Sequence, residues 1–495
     1  MMVISLKLLI MPPSALKNHC FLFRFHGVNP HSHFIVIHLF IFLGLANMLA
    51  LQTRAAGLLL LAHLLPVHSL EIGSRDDILK TSKSLAADLI KFYHGNETGQ
   101  APGLLPQETV KTKDNDVTYY YYQSGAFMST YIDYWQLTGD ETYNDLVMQG
   151  ILHQVGSDDV FIPPNQTLNA ANDDQSIWAM AALTAAEYGF PDPPKDEPQW
   201  LDLAESVFNA QRRRWDAEVK EKTCDGGLRW QIVPINKGYD WKSAEANTFF
   251  FALSSRLARQ TGNKTYVEYA EKVWDWLYDI EFIDHDTFAV YDGSSVNSNC
   301  TQTSKVQRSG AASSLALGAA YMYNQTDGSS TWKSRVQNLT SSFVDTFFQK
   351  DGSFAEASCP SENKCPRDLL TFKALSQRWL AVTSQIAPFT AEPILKALRK
   401  SAEESDADKD GDDALEQTMG ELAVVSNLLI SDAHAAVSWG DEKAKTGGSG
   451  SGSGNGSDSG SAGSSSDDKD DDSSATRLTG VNVVLALFAW ALYFM

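Results

Sequence analysis

The stretch AANDDQSIWAMAALTAAEYGF, residues 170–190, has apolar side chains on nearly every side of the helix that it would form. A helix that is hydrophobic all round is buried among other elements. Asn172 is a good N-cap, Gln175 follows three residues later as in a capping box, and acidic residues suit the positive end of a helix. The adjacent Asp173 and Asp174 therefore have a purely structural explanation, and a catalytic role needs support from elsewhere in the chain.

Helical spacing of apolar residues continues through most of the region between residues 70 and 401. The spacing predicts eleven helices, at 76–93, 125–137, 140–154, 174–188, 200–215, 246–260, 265–278, 309–323, 332–348, 369–386 and 391–400. Alternation typical of a strand is scarce, and LRWQIV at 228–233 is its best short case. The region is therefore predicted to be all-α, and its length suits one α-barrel.

A weak internal repeat organises these helices. WQLTGDETYNDLV at 135–147 recurs as ARQTGNKTYVEYA at 258–270 and, more loosely, as MYNQTDGSSTWKSRV at 322–336. Each copy ends a helix, turns at a glycine and opens the next helix near an aromatic residue, which is the pattern of an αα-hairpin. Repeated hairpins form either a solenoid or a closed toroid. The uneven spacing of the copies favours a toroid whose loops build a cleft.

Three loops have an unusual composition. VTYYYYQSG at 117–125, GGLRWQIVPINKGYDWKSAEAN at 226–247 and FAVYDGSSVNSNC at 288–300 mix aromatic residues with Asp, Asn, Gln and Gly. Aromatic rings beside amide and carboxylate groups suit sugars, because the rings stack on C–H surfaces while the polar groups bind hydroxyls. The alternative is that these aromatic side chains pack back onto the barrel. Three such loops together with an acidic pair favour the sugar-binding interpretation.

The chain termini predict export. Residues 48–69 have the basic, apolar and small-residue regions of a signal peptide, and residues 1–47 are then an upstream extension. A signal anchor that uses the apolar run at 33–51 is the alternative. Residues 402–446 are expected to be an acidic helical or linker segment. Residues 447–475 form a Ser/Gly/Asp-rich disordered linker, and the apolar end of 476–495 completes the pattern of a removed GPI-attachment signal.

Glycosylation and disulfide signals agree with an oxidising compartment. Candidate N-glycosylation sites are Asn96, Asn165, Asn263, Asn299, Asn324, Asn338 and Asn455. Four cysteines follow the signal, and they allow three pairings. The short loop between Cys359 and Cys365 favours that pair, which leaves Cys224 with Cys300.

Composition excludes several classes of function. The net charge of −21 argues against binding to nucleic acid. No cysteine spacing is typical of a zinc site, and no cofactor is expected. DADKDGDDALEQ at 406–417 begins like a calcium loop, but it has Gln417 where a bidentate Glu is required, so we interpret it as an acidic linker and expect no metal site.

An ordered series of motifs resembles glycoside hydrolase family 76. The motifs are TGDETYNDLV, NDDQSIWAMAALTAAEYGFPDPP, CDGGLRWQI, NKGYDWK, VYDGSSVNSNC and LSQRWLAVTSQIAPFT, and the likeness spans about residues 78–400. The most similar branch is that of the fungal GPI-anchored cell-wall proteins related to mannan endo-1,6-alpha-mannosidases.

The resemblance implies an (α/α)6 barrel and a retaining mechanism on alpha-1,6-mannose linkages. Asp173 matches the nucleophile of the family, and Asp174 matches the general acid/base. Candidate sugar contacts, named from the loops and the resemblance, are Trp178, Trp230, Gln231, Tyr239, Asp240 and Asp292. Trp178 has barrel packing as an equal alternative.

The implied substrate is mannan or the mannose core of a GPI glycan. The wall-anchored branch is expected to transfer mannoproteins to a beta-glucan acceptor, at the outer face of the plasma membrane or in the wall. The chain departs from the family pattern at Gln123, where an acidic residue is usual, and at Phe249, where cysteine is common. It also departs at Arg308, Gly310 and Ala311, which replace large aromatic and amide residues. These departures keep open the alternative of a divergent, non-catalytic sugar-binding or structural wall protein on the same barrel.

Overall fold

The computed structural model describes residues 70–106, 110–111, 116–117, 119–359, 365–405 and 414–438. The predicted signal peptide, upstream extension, Ser/Gly linker and anchor signal lie outside the described residues, as does most of the calcium-like motif. Within the described part of the chain, no helix is long and apolar enough to cross a membrane.

The described residues form twelve α-helices, and all eleven predicted helices are among them. They are α1 (Arg75–Leu89), α2 (Tyr121–Thr138), α3 (Asn144–His153), α4 (Asn172–Tyr188), α5 (Trp200–Glu221), α6 (Ala244–Thr261), α7 (Lys264–Asp279), α8 (Ser309–Gln325), α9 (Ser330–Phe347), α10 (Arg367–Ile386), α11 (Ala391–Glu403) and α12 (Ala414–Asn427). Short 3₁₀ turns are Ile90–Phe92, Val296–Ser298 and Pro388–Thr390.

The even-numbered helices form a closed inner ring, and the odd-numbered helices pack outside it. Each inner helix packs on the next in the order α2, α4, α6, α8, α10 and α12, and α12 packs back on α2. The inner helices are buried almost all round, since every residue of α6 from 244 to 260 is buried. The arrangement confirms the predicted (α/α)6 barrel.

The hairpin joints have the conformation that the repeat predicts. Gly139 ends α2 with φ of 75°, and Gly262 ends α6 with φ of 67°. This left-handed backbone is readily adopted by glycine, so the helix can stop and reverse within a few residues. Gly328, with φ of 84°, has the same role in the third copy.

Helix α12 corrects the predicted domain boundary at residue 401. The predicted acidic segment 402–446 contains this helix, and 12 of its 14 residues are buried in the barrel. Gln123 of α2 donates hydrogen bonds to Thr371 Oγ1 (3.0 Å) and to Glu416 Oε1 of α12 (3.1 Å). Arg367 of α10 pairs with Glu416 at 2.9 Å. These bonds join the last inner helix to its two neighbours and close the ring, so the described domain continues to residue 438.

Five short strands lie in loops. β1 (Val110–Lys111) pairs with β2 (Asp116–Val117), and β3 (Trp241–Ser243), β4 (Tyr291–Ser295) and β5 (Ser304–Gln307) form an antiparallel sheet in that order. Residues 228–233, the best short case of strand-like alternation in the sequence, form an irregular loop in which Gln231 makes an isolated bridge with Ala171.

The end of the barrel where the inner helices finish is filled and covered. Glu187 pairs with Arg256 at 2.8 Å, and Asp133 pairs with Arg378, around a cavity of about 20 Å³ that could hold roughly one water molecule. The segment after α12 lies over this end, because Arg259 donates to the carbonyls of Ala436 and Val437. A substrate must therefore enter at the other end, where the inner helices begin.

Candidate active site

Asp173 and Asp174 lie in the first turn of α4, at the open end of the barrel. The N-cap is Ala171 rather than Asn172, and Asp174 reaches back to accept a hydrogen bond from the Ala171 backbone N–H at 2.7 Å. Tyr122 at the start of α2 donates a second backbone N–H to Asp174. Asp173 Oδ1 accepts the Asp174 N–H at 3.0 Å. Both carboxyl groups are half-buried and held by helix-end donors.

Asn172 fixes the helix start that carries this pair. Its Nδ2 donates to the Arg229 carbonyl at 2.8 Å, and its Oδ1 accepts from Arg214 Nε of α5 at 2.8 Å. Its backbone N–H donates to the Trp230 carbonyl at 3.0 Å. Asn172 therefore couples the aspartate pair to the loop that bears Trp230, a positioning role that the sequence analysis missed when it interpreted this residue as a cap.

Burial and mutual repulsion raise the pKa values of the pair. Burial, then the charge of Asp174 and then that of Glu245, raises the pKa of Asp173 well above its usual range. Burial raises the pKa of Asp174 to about 6, and the N–H groups of Ala171 and Tyr122 limit that rise. The pair therefore keeps one proton near neutral pH. That proton belongs to the coupled pair and not to either residue alone.

Further charged side chains lie close together near the starts of α6 and α8, and the charge of one of them, Glu245, acts on Asp173. Arg308, at the start of α8, lies 3.2 Å from Asp292 Oδ1 and 3.8 Å from Glu245 Oε1. Glu356 accepts hydrogen bonds from the Ser309 N–H at 2.9 Å and from its hydroxyl at 2.6 Å. Burial raises the pKa values of both Glu245 and Glu356 to about 7.

Of these groups, Asp292 was predicted from the sequence as a sugar contact, whereas Glu245 and Glu356 were not predicted. A lone carboxylate that opens an apolar helix, as in AEANTFFFAL at 244–253, is the signal that could have identified Glu245. It resembles the Asp pair at the start of α4, except that it has no acidic neighbour to draw attention to it.

Most of the predicted sugar contacts lie on loops at the mouth. Trp230 is 39% exposed and packs against Gly238, so one ring face is supported and the side chain reaches solvent. Gln231 accepts a hydrogen bond from Asn236 at 3.0 Å. Tyr239 has the Arg229 guanidinium over its ring at 4.5 Å. Only Trp230 among these offers a large exposed platform beside the Asn172 helix start.

Asp240 and Asp292 occupy different parts of the mouth. Asp240 is exposed and accepts a hydrogen bond from Asn297 at 2.8 Å, which holds two mouth loops together. Asp292 is half-buried beside Arg308 and belongs to the charged group next to the pair. The structure therefore brings Asp292 towards the chemistry and leaves Asp240 at the rim.

The assignment of Trp178 as a sugar contact is wrong. Its side chain is fully buried, with ring centroids 5.2 Å from Tyr121 and 5.8 Å from Phe161. It lies one turn deeper than the pair, beneath the site, where the ring packs between helices. Trp178 therefore supports the floor of the site and cannot stack on a sugar.

Both predicted disulfides are present, Cys224–Cys300 and Cys359–Cys365. The first joins the two loops that carry Trp230 and Asp292. Six of the seven predicted glycosylation sites are described, and each is exposed: Asn96, Asn165, Asn263, Asn299, Asn324 and Asn338. Among the described residues, no group of three or more His, Cys, Asp or Glu side chains is arranged to hold a metal ion.

Comparison with known proteins places this geometry in a family. The model of glycosyl hydrolase family 76 matches residues 77–438. Mannan endo-1,6-alpha-mannosidase DCW1 of Saccharomyces cerevisiae is 39% identical over 334 residues, which cover 67% of this chain and 71% of that protein.

Solved structures agree. The crystal structure of Dfg5 from Chaetomium thermophilum in complex with glucosamine is 43% identical, with a TM-score of 0.70, and covers 75% of this chain and 94% of that chain. A Salegentibacter alpha-1,6-mannanase, solved with alpha-1,6-mannotriose as an inactive variant with two consecutive aspartates replaced by asparagine, has a TM-score of 0.56 at 14% identity and covers 71% of this chain and 99% of that chain. That last likeness shows the fold alone. With a family model that spans most of the chain and a barrel of the same architecture, this protein belongs to glycosyl hydrolase family 76.

Proposed function

We propose that the protein is a retaining alpha-1,6-mannosidase or transglycosidase that acts on mannan or on the mannose core of GPI glycans during cell-wall biogenesis. The observation that carries this proposal is the half-buried Asp173–Asp174 pair in the first turn of α4, where both carboxyl groups accept backbone N–H hydrogen bonds at the open end of the barrel. The relative DCW1 of Saccharomyces cerevisiae is a mannan endo-1,6-alpha-mannosidase, and so is DFG5 of the same yeast. These names support the substrate class.

The reaction uses the two carboxyl groups in turn. In the first step the Asp173 carboxylate forms a bond to the anomeric carbon, while Asp174 gives its proton to the departing glycosidic oxygen. In the second step Asp174 takes a proton from water or from an acceptor hydroxyl, and that oxygen displaces Asp173. The first step needs the shared proton on Asp174 and an ionised Asp173, which is one of the two arrangements of a single proton on the coupled pair. Hydrolysis and transfer differ only in whether water or an acceptor hydroxyl attacks the anomeric carbon in the second step.

We further propose that the mature protein is held at the outer face of the plasma membrane or in the wall by a GPI anchor. A beta-glucan chain is then the acceptor, and mannoproteins become linked to it. The apolar C-terminal end, the Ser/Gly-rich linker before it and the exposed sequons support this proposal.

The test is product analysis on an alpha-1,6-mannan oligosaccharide, with and without a beta-glucan acceptor. Wild-type protein should release shorter mannosides and, with the acceptor, form a mannosyl–glucan product. Asp173→Asn and Asp174→Asn should lose at least about a thousandfold in rate while they fold normally. Asp240→Asn, at the rim, is the matched control and should retain turnover.

A second candidate function, a non-catalytic sugar-binding wall protein, is favoured by one observation. Arg308 lies in ion-pair contact with Asp292 beside the pair, where the family resemblance leads us to expect an aromatic side chain. Binding of the oligosaccharide by wild type and both Asn variants, without product from any of them, would support that function and exclude the enzyme.

A further inference from the structure

Glu245 is a buried carboxyl group beside the catalytic pair that the mechanism above does not use. It is the second residue of α6 and is 3% exposed. Its Oε1 atom makes no hydrogen bond, and the Arg308 Nη1 atom at 3.8 Å is beyond hydrogen-bonding distance. The carboxyl group interacts with the backbone N–H of Glu245 itself, but its Oε1 atom is left without a donor, and such burial is costly unless the group has a function.

Glu245 and Asp173 occupy the same position on adjacent helices, since each is the second residue of its inner helix. Helices α4 and α6 are neighbours in the barrel and both begin at its open end, and the charge of Glu245 acts on Asp173. The charged or titratable groups that interact with Glu245 from the surrounding elements are Asp173 of α4, Asp292 of β4, Arg308 before α8 and Glu356 after α9. Arg308 is cationic, and the others are carboxyl groups.

We propose that Glu245 is a positioning residue whose buried negative charge, moderated by Arg308, sets the pH range in which the aspartate pair holds a single proton. The inference rests on the proposed function, because a singly protonated pair is the reactive form only if the pair cleaves or transfers glycosides. Glu245 touches no reacting atom. It acts through Asp173.

The physical basis is the response of two coupled acids to a third charge. A neighbouring anion makes each further negative charge less favourable, so it moves the loss of a proton from the pair to higher pH. Glu245, with a pKa of about 7, is largely neutral at pH 6, where Asp174 titrates, and is ionised when the second proton leaves the pair. Arg308 stabilises the Glu245 anion and so lets this effect operate near neutral pH. Removal of the Glu245 charge should therefore move the alkaline limb of a bell-shaped activity profile to lower pH, by roughly one unit, and leave the acid limb in place.

The decisive variants are Glu245→Gln, which removes the charge, and Glu245→Asp, which retains it. We expect Glu245→Gln to move the alkaline limb of the kcat/KM profile to lower pH and to leave the acid limb in place, with KM at the optimum little changed. Glu245→Asp should restore most of the wild-type profile. Asp240→Asn is the matched control: it removes an exposed carboxylate at the rim that is not among the groups that act on Asp173 or on Glu245, so both limbs should stay in place.

A titration that needs no turnover separates this inference from the proposed function. Infrared difference spectroscopy follows the carboxylic acid C=O band, and ¹³C-labelled glutamate distinguishes Glu from Asp bands. The unlabelled Asp band should titrate at lower pH in Glu245→Gln than in wild type. If Glu245→Gln does not fold, the wild-type labelled band still tests the inference, because Glu245 must ionise in the same range as the pair.

The outcomes are distinct. Absence of turnover at any pH, with a shifted Asp band, defeats the proposed function and retains the charge coupling. Unmoved limbs and an unmoved Asp band in folded Glu245→Gln overturn the inference, whatever the activity. A uniform loss of rate with no change in the profile would show that Glu245 has only a structural role, and this also overturns it.

Discussion

The Cys224–Cys300 disulfide should contribute more to stability than Cys359–Cys365, and it should also hold the mouth loops in place. Cys224 lies in the loop before Trp230, and Cys300 follows the strand that carries Asp292. The same two loops are also joined by a hydrogen bond from the Cys224 N–H to Asn299 Oδ1 at 3.0 Å. Replacement of both cysteines of a pair by serine removes the crosslink without leaving a free thiol.

The expected magnitudes follow from the lengths of chain that each crosslink closes. The sequence separations are 76 residues for Cys224–Cys300 and 6 for Cys359–Cys365. The loop-closure entropy removed from the unfolded chain is worth about 4.5 kcal/mol for the long loop and about 2.2 kcal/mol for the short one. The difference of about 2 kcal/mol should lower the melting temperature of the long-loop variant by several degrees more.

The assay is guanidinium unfolding of wild type, Cys224→Ser/Cys300→Ser and Cys359→Ser/Cys365→Ser, followed by tryptophan fluorescence. The first variant should also raise KM for an alpha-1,6-mannan oligosaccharide, because the loops that carry Trp230 and Asp292 lose their link. The second variant should leave KM near the wild-type value, because the Cys359–Cys365 disulfide joins neither of these loops. Equal losses of stability, or a larger loss for the short-loop pair, would refute the entropic reasoning.

Three further predictions test the assignments. With an activated mannoside as donor, azide should restore turnover of both alanine variants. Asp174→Ala should then form an alpha-mannosyl azide and Asp173→Ala a beta-mannosyl azide, as identified by NMR of the products. The opposite anomers would show that the two roles are reversed. The pKa values of Glu245 and Glu356 are about 7 in the fold against 4.5 unfolded, so their stabilisation is complete below pH 4.5 and is lost as pH rises through 7. Melting temperature should therefore fall between pH 5 and pH 8, and less so in the Glu→Gln variants; a rise over that range would contradict it. A chain that ends after residue 405 should fail to fold, whereas one that ends after residue 438 should melt cooperatively, as judged by calorimetry, since only the second contains α12.

The fold was predictable because the barrel imposes a recognisable pattern on its inner helices. A helix enclosed on all sides must be apolar on all sides, and α4 and α6 show this directly in their sequences. Helix α12 has the same property, with buried residues around its circumference. It was missed because the segment 402–446 was interpreted from its overall composition, which the acidic stretch before α12 dominates. The apolar pattern of residues 414–427 alone predicts a sixth inner helix.

The site was predictable only in part, because composition indicates which groups are present and the packing decides where they point. Asp173 and Asp174 are adjacent, so their repulsion is visible in the sequence. Trp178 lies four residues after Asp174 and so shares its side of the helix, but depth separates them: the carboxyl group bends back to the Ala171 N–H while the indole lies a turn below, in the core. The distance of a side chain from the barrel mouth, measured along a buried helix, does not change the periodicity of apolar residues and so cannot be predicted from it.

The convergence of inner-helix starts explains how so many carboxyl groups can gather at one end of the barrel. The N-terminus of a helix carries partial positive charge and unpaired N–H groups, and it stabilises anions within the first turn. Asp173 and Asp174 begin α4, Glu245 begins α6 and Glu356 binds the first N–H of α8. Burial alone would drive all of these groups to the neutral form. The helix ends and Arg308 offset that effect only in part, which leaves carboxyl groups that change charge between about pH 6 and pH 7. A site that must both donate and accept one proton in each turnover requires groups that titrate in this range.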